Sequence, residues 1–179
     1  MNIYESRFLV SGSLFFISYL LHRKFTFKDY KKVGVAIYAH GVEDIDSIYE
    51  KIRDVCNFIH VDIVDKSFNP NSIEVKAYKA EVIKAYWRKK FIEVHVMSMN
   101  PIKWIDQVKD YVDLIYIHLN SNNIIDSLKV ISKNNCNPGL VVTPNDDLNK
   151  LEKYIDRVKY VMVLAIPKPG FSGQKFDTR

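Results

Sequence analysis

His60 and Asp62 stand two positions apart in FIHVDIVD, and further along His95 lies in FIEVHVM and His118 ends DLIYIH. Side chains alternate across a strand, so His60, Asp62 and Val64 share one face while Ile59, Val61 and Ile63 share the other. The apolar face can pack under helices. The opposite face then holds an imidazole and a carboxylate, acid–base groups that are costly to bury unless something pairs with them. A lone buried His is ordinarily a satisfied core imidazole, so the weight rests on His60 and His95 recurring on adjacent strands. Near the end of the chain, GFSGQ (170–174) offers backbone N–H groups with glycine freedom, which suits cradling a phosphate.

These residues need elements to position them, and from residue 33 onward the chain alternates. VGVAIYA (33–39) reads as a strand and VEDIDSIYEKIRDV (42–55) as an amphipathic helix with acidic residues in its first turn. FIHVDIVD is the second strand, 73–88 the second helix, and FIEVHVMS (91–98) the third strand. PIKWIDQVKDYV (101–112) opens on a proline suited to a first helical position. DLIYIHL (113–119), a helix over 122–133, PGLVVTP (138–144), a helix over 146–158 and KYVMVLAI (159–166) complete the series. Six strands and five helices joined by short loops predict right-handed βαβ units and a parallel sheet.

Two architectures satisfy that pattern: an open doubly wound sheet and a (β/α)8 barrel. His60, Asp62, His95 and His118 all fall in the C-terminal parts of their strands, where a barrel builds its site. After the first strand, YAHGVED holds one Gly rather than a three-Gly dinucleotide fingerprint. The expectation is therefore an incomplete TIM-type (β/α)8 barrel. Six strands do not close one.

Composition sets wide bounds. The 179 residues are 47% hydrophobic and 13% aromatic, which suits one sizeable core. A formal charge of +5 permits phosphate or anionic-lipid partners. The tightest basic group, Arg88-Lys89-Lys90, sits where a helix should end and complements its dipole, and no nucleic-acid motif spacing appears. No nucleic-acid partner is expected. Cys56 and Cys136 stand alone without metal-like spacing and read as reduced thiols of a cytoplasmic protein.

Residues 8–21, FLVSGSLFFISYLL, carry no charge and are followed by HRKFTFKDYKK. Fourteen residues fall short of the roughly 20 that a spanning helix needs. FLVSGSLFFISYLLHRKFTF also looks like the last membrane helix of the GtrA-like family of small polyprenyl-sugar transport proteins: an apolar run ending in Tyr, Leu, a base and alternating Phe. A membrane tether and a packed extra helix stand as equal alternatives. The expected division is an N-terminal segment, 1–32, and a partial barrel domain, 33–179.

Over residues 33–176 a second resemblance is closer. HVDIVDKSFNPN resembles the His-x-Asp-x-Met-Asp-Gly-x-Phe-Val-Pro-Asn signature of ribulose-phosphate 3-epimerases, and EVHVMSMNPIKWI their His-Leu-Met-x-x-x-Pro-x-x-Trp segment. KPGFSGQKF is similar to their Glu-Pro-Gly-Phe-Gly-Gly-Gln-Lys-Phe loop. Epimerising a carbon beside a ketone requires removing an α-proton and returning one on the opposite face, while a divalent cation can hold the enediolate charge. The resemblance implies that His60, Asp62 and His95 are metal ligands and that Asp62 carries a proton. It also implies that His60, His95, Met97, Gly170, Phe171, Ser172 and Gly173 line a sugar phosphate. Mixed imidazole and carboxylate ligation suits Zn²⁺, Fe²⁺, Mn²⁺ or Co²⁺ alike. His118 has no motif around it and is expected to line the pocket or support the structure rather than ligate.

Departures from the family pattern temper this reading. Ala36 and Ala39 occupy the region of a substrate-binding Ser, Lys66 replaces a Gly, Lys168 a Glu and Ala165 a Met. The family's seventh strand, which brings a fourth ligand and the second acid/base Asp, would lie beyond Arg179. The functional expectation is a metal-dependent ketose-phosphate epimerase whose 179-residue chain alone does not turn over. The alternative is a non-catalytic barrel remnant that binds a sugar phosphate or a protein partner. A homo-oligomer is compatible with either.

Overall fold

A computed structural model describes residues 32–37, 45–171 and 173–178. The chain divides into two units, Met1–Val33 and Gly34–Arg179, and the described residues fall almost wholly in the second. The apolar run 8–21, Ala39 and Ser172 lie outside the described residues. Among those described, no helix is long and apolar enough to cross a membrane.

Strands β1 (Gly34–Ile37), β2 (Phe58–Val64), β3 (Phe91–Met97), β4 (Leu114–His118), β5 (Asn137–Val142) and β6 (Tyr160–Val163) form one parallel sheet. Helices α1 (Ile45–Ile52), α2 (Tyr78–Tyr86), α3 (Ile102–Val108), α4 (Ile124–Lys133) and α5 (Asn149–Glu152) fall between successive strands. The strands lie side by side in chain order, β1 to β6. A doubly wound sheet reverses its order at a switch point; this one does not. The sheet curls into an incomplete (β/α) barrel.

Period two sorts the strand residues into two layers. Ile59, Val61, Ile63, Ile92, Val94, Val96, Ile115 and Ile117 are fully buried beneath Ala80, Ile83, Ile105, Leu128 and Ile131 of the helices. Each such side chain contributes about 1.5–3 kcal/mol by leaving water. The inner layer is mixed. Parallel register aligns His60 with Glu93 and Asp62 with His95, then His95 with Tyr116 and Tyr116 with Gly139. Small apolar clusters close this layer: Val64, Val75 and Met97 at one level, Leu114, Tyr116 and Val141 at another.

Most helices end earlier than their hydrophobic pattern predicts, α3 at Val108 for instance, and two of them also start well inside the expected span. The segment expected to start a helix at 73 stays extended, because the Val75 amide bonds the Val64 carbonyl and its side chain enters the inner layer. The helix expected over 146–158 is only α5 and a separate 3₁₀ turn, Ile155–Arg157. Its predicted start is held as loop: Asp146 accepts hydrogen bonds from the Thr143 amide and hydroxyl, and Asp147 accepts from the Asn149 amide. Such side-chain turns compete directly with helix formation.

Candidate active site

The inner faces of β2, β3 and β4 bring five polar side chains, Glu93, His60, Asp62, His95 and His118, into one chain of hydrogen bonds. The His60 Nδ1–H donates to Glu93 Oε1 at 2.6 Å, and His60 Nε2 lies 3.2 Å from Asp62 Oδ1. The same Oδ1 lies 3.1 Å from His95 Nδ1. His95 Nε2 is 2.7 Å from His118 Nε2, with the two rings stacked. His95 and His118 are buried, at 2% and 1% exposure.

Proton positions follow from what each partner can offer. The carboxylates only accept, so both nitrogens of His60 donate. Burial by itself would push this imidazole down, but hydrogen bonds and charge from Asp62 and Glu93 outweigh it and lift it to about 9. Burial would raise the Asp62 carboxyl; the bonds from His60 and His95 instead hold it well below the usual carboxylate range. Burial keeps His95 below its ordinary value despite the pull of Asp62. His118 is driven down to about 2 by burial and by His95, and is neutral. Neutral His95 donates from Nδ1 to Asp62 and accepts at Nε2 from the Nε2–H of His118.

Both bonds to Asp62 fall on Oδ1. Among the described contacts, Oδ2 is left to receive a proton. One ligand atom from each of His60, Asp62 and His95 lies within 4.8 Å of the others. Two imidazoles and a carboxylate whose donor atoms already converge, bridged by protons, form a set that a divalent cation fits. His118 is not part of that set. It lines a cavity of about 750 Å³ above the strands, as expected of a pocket residue.

That cavity is built from the loops that follow β2 to β6, with Asn69, Asn120, Asn145, Lys150, Lys168 and Phe171 in its wall. Met97 is buried in the inner layer against Val64 and Val75 rather than in this wall. Gly170 adopts φ 90°, a region that L side chains rarely occupy, and packs on Val64 and Asn69. Gly173 has φ 73°, and a Cβ there would meet nothing within 4 Å. Ala36 sits beside His60 in register.

The loop residue Asp65 is buried three positions beyond Asp62. It accepts hydrogen bonds from the amides of Ser67 and Phe68, the hydroxyls of Ser67 and Ser98, and the Trp104 indole, and pairs with Lys103. This ties the β2 loop to β3 and α3, which carry His95 and Pro101-Ile102-Lys103-Trp104. Two residues escaped the reading of the sequence: Glu93 as a partner of His60, and Asp65 as the brace of the mouth. Glu93 could have been found, since it stands two before His95, the same spacing that flagged His60 and Asp62.

A model of the "Ribulose-phosphate 3 epimerase family" matches residues 32–179. The chain belongs to the ribulose-phosphate 3-epimerase family. Among its relatives, a ribulose-phosphate 3-epimerase of Aquifex aeolicus is 32% identical over 75% of this chain and 60% of its own length. One of Chlamydia pneumoniae is 32% identical over 67% of this chain and 52% of its own. One of Synechocystis is 29% identical over 74% and 60%. This member of the epimerase family thus spans roughly half to three-fifths of the length of these curated relatives. The GtrA-like resemblance falls in residues that precede the family match.

Proposed function

We propose that this chain supplies the cation-holding and proton-abstracting half of a ketose-phosphate 3-epimerase, acting on ribulose 5-phosphate or a close relative. One observation carries the reading: His60, Asp62 and His95 converge on adjacent strands at the C-terminal mouth of the barrel. His60, Asp62 and His95 would hold a divalent cation, Zn²⁺, Fe²⁺, Mn²⁺ or Co²⁺, whose charge offsets the negative charge that builds on the substrate oxygens. Asp62, kept ionised by its two imidazole partners, takes the α-proton at Oδ2. His60 and His95 face the reacting carbon, while Met97 contributes to the apolar layer with Val64 and Val75. Gly170, Phe171, Ser172 and Gly173 receive the phosphate end, with Lys150 and Lys168 adding positive charge to the wall. Residues 33–179 form the barrel unit, and residues 1–32 a separate N-terminal segment. A cytoplasmic setting accords with the buried free thiols of Cys56 and Cys136.

The test is exchange of the ribulose 5-phosphate C3 proton with deuterium, followed by NMR in D₂O with added Mn²⁺ or Zn²⁺. Exchange is expected, and Asp62→Asn should slow it by about 10²- to 10⁴-fold. Binding of the sugar phosphate with no exchange would favour the non-catalytic remnant. Neither binding nor exchange would end the epimerase reading.

A further inference from the structure

Among the described residues of the inner layer, Glu93 is the one carboxylate that the chemistry above does not use. It lies in the middle of β3, in register with His60 on one side and Leu114 on the other, and is only 9% exposed. A carboxylate there is costly unless a strong partner offsets desolvation. Its partner is the His60 Nδ1–H at 2.6 Å, the shortest contact in the cluster. A bond on Nδ1 determines what the opposite nitrogen can do. With Nδ1 committed to Glu93, the ring is turned so that Nε2 points at Asp62 Oδ1, where the ligand atoms converge.

We infer that Glu93 is a positioning residue for the cation site: it fixes the His60 ring and tautomer so that Nε2 faces Asp62 and His95. This inference rests on the proposal that His60, Asp62 and His95 bind a cation. A carboxylate behind a ligating imidazole both orients it and raises its basicity, and loss of such a partner typically weakens metal affinity by about 10- to 100-fold. Glu93 also explains why the inner layer tolerates two carboxylates within one register step: His60 stands between them and donates to both.

The experiment is titration of Co²⁺ into the full chain, read by visible absorption and calorimetry, for the parent, Glu93→Leu and Glu93→Gln. Glu93→Leu removes the acceptor and should weaken Co²⁺ binding by about 10- to 100-fold. Glu93→Gln keeps an amide oxygen for Nδ1–H and should lose much less. In the Zn²⁺-loaded parent, long-range ¹H–¹⁵N spectra should show His60 protonated at Nδ1 alone, and Glu93→Leu should disperse that single form. A merely structural role predicts a shifted melting temperature in EDTA with cation affinity unchanged. Affinity within about twofold of the parent in Glu93→Leu would overturn the inference while leaving the cation site standing. Should Glu93→Leu fail to fold, Co²⁺ binding by Glu93→Gln that is as weak as in an Asp62→Asn control would equally overturn it, because the amide keeps the acceptor. A parent that binds no Co²⁺ would overturn both readings.

Discussion

Asp62 and Asp65 show how two carboxylates three residues apart take different work. Asp62 faces the inner layer and answers to two imidazoles. Asp65 stands past the strand end, where burial alone would raise its carboxyl, yet bonds from Ser67, Trp104, Ser98 and Lys103 hold it well below the usual range. A carboxyl lowered on folding stabilises the fold above its unfolded value, about 3.9 for Asp, and that contribution is lost as pH falls towards the folded value. Asp65→Asn should therefore cost roughly 2–4 kcal/mol near neutral pH, through lost charge-assisted bonds and donors left unpaired. The difference from the parent should shrink as pH drops from about 5 towards 2. Urea melts across that range would check both statements; a constant difference would show that Asp65 acts through shape and not charge.

The packing of neighbouring strands depends on glycines opposite rings. Tyr116 of β4 faces Gly139 of β5 in register, and a Cβ on Gly139 would lie 2.4 Å from Tyr116 Cδ1. Gly34 of β1 meets Phe58 of β2 in the same way, at 2.1 Å from Cε2. Tyr116 packs in the inner layer with Leu114 and Val141, and Met162 and Leu164 lie against them. Gly139→Ala should destabilise by about 1–3 kcal/mol through overpacking. Adding Tyr116→Leu should return part of that loss, with a coupling of about 0.5–3 kcal/mol. Chemical denaturation of the two single variants and the double variant measures this. Simple additivity would show that the ring and the glycine are independent.

Over the molecule as a whole, burial is uneven. Val161 and Val163 of β6 pair with the buried Leu140 and Val142, yet are 38% and 76% exposed. Phe176 is 72% exposed. Among the described residues, β6 pairs only with β5, and β1 only with β2. An exposed apolar strand edge is a template for pairing with another chain. The 179-residue chain should therefore self-associate in a concentration-dependent manner. Val163→Lys should weaken that association by about tenfold, equivalent to about 1.4 kcal/mol. Sedimentation velocity over a concentration series would decide, and an unchanged monomeric boundary at every concentration would refute the edge argument.

Much of this was legible in the residue order because it depends on period and punctuation. Short apolar runs bounded by turns marked all six strands, and the period of two placed His60 and Asp62 on one face. The position of the histidines at strand ends favoured a barrel before any strand order was known. What the linear order could not supply was register. Whether Glu93 stands beside His60, or His118 beside His95, depends on how neighbouring strands slide past one another, and a shift of one residue would turn each side chain to the opposite face. Helix lengths failed for a related reason. A helix over 73–77 or 146–148 is compatible with the local residues, but Val75 finds a better place in the inner layer and Asp146 a better use at Thr143. Local pattern determined which residues could form the site; only the packing of three strands against one another decided which atoms meet, because contacts across strands depend on register and not on spacing along the chain.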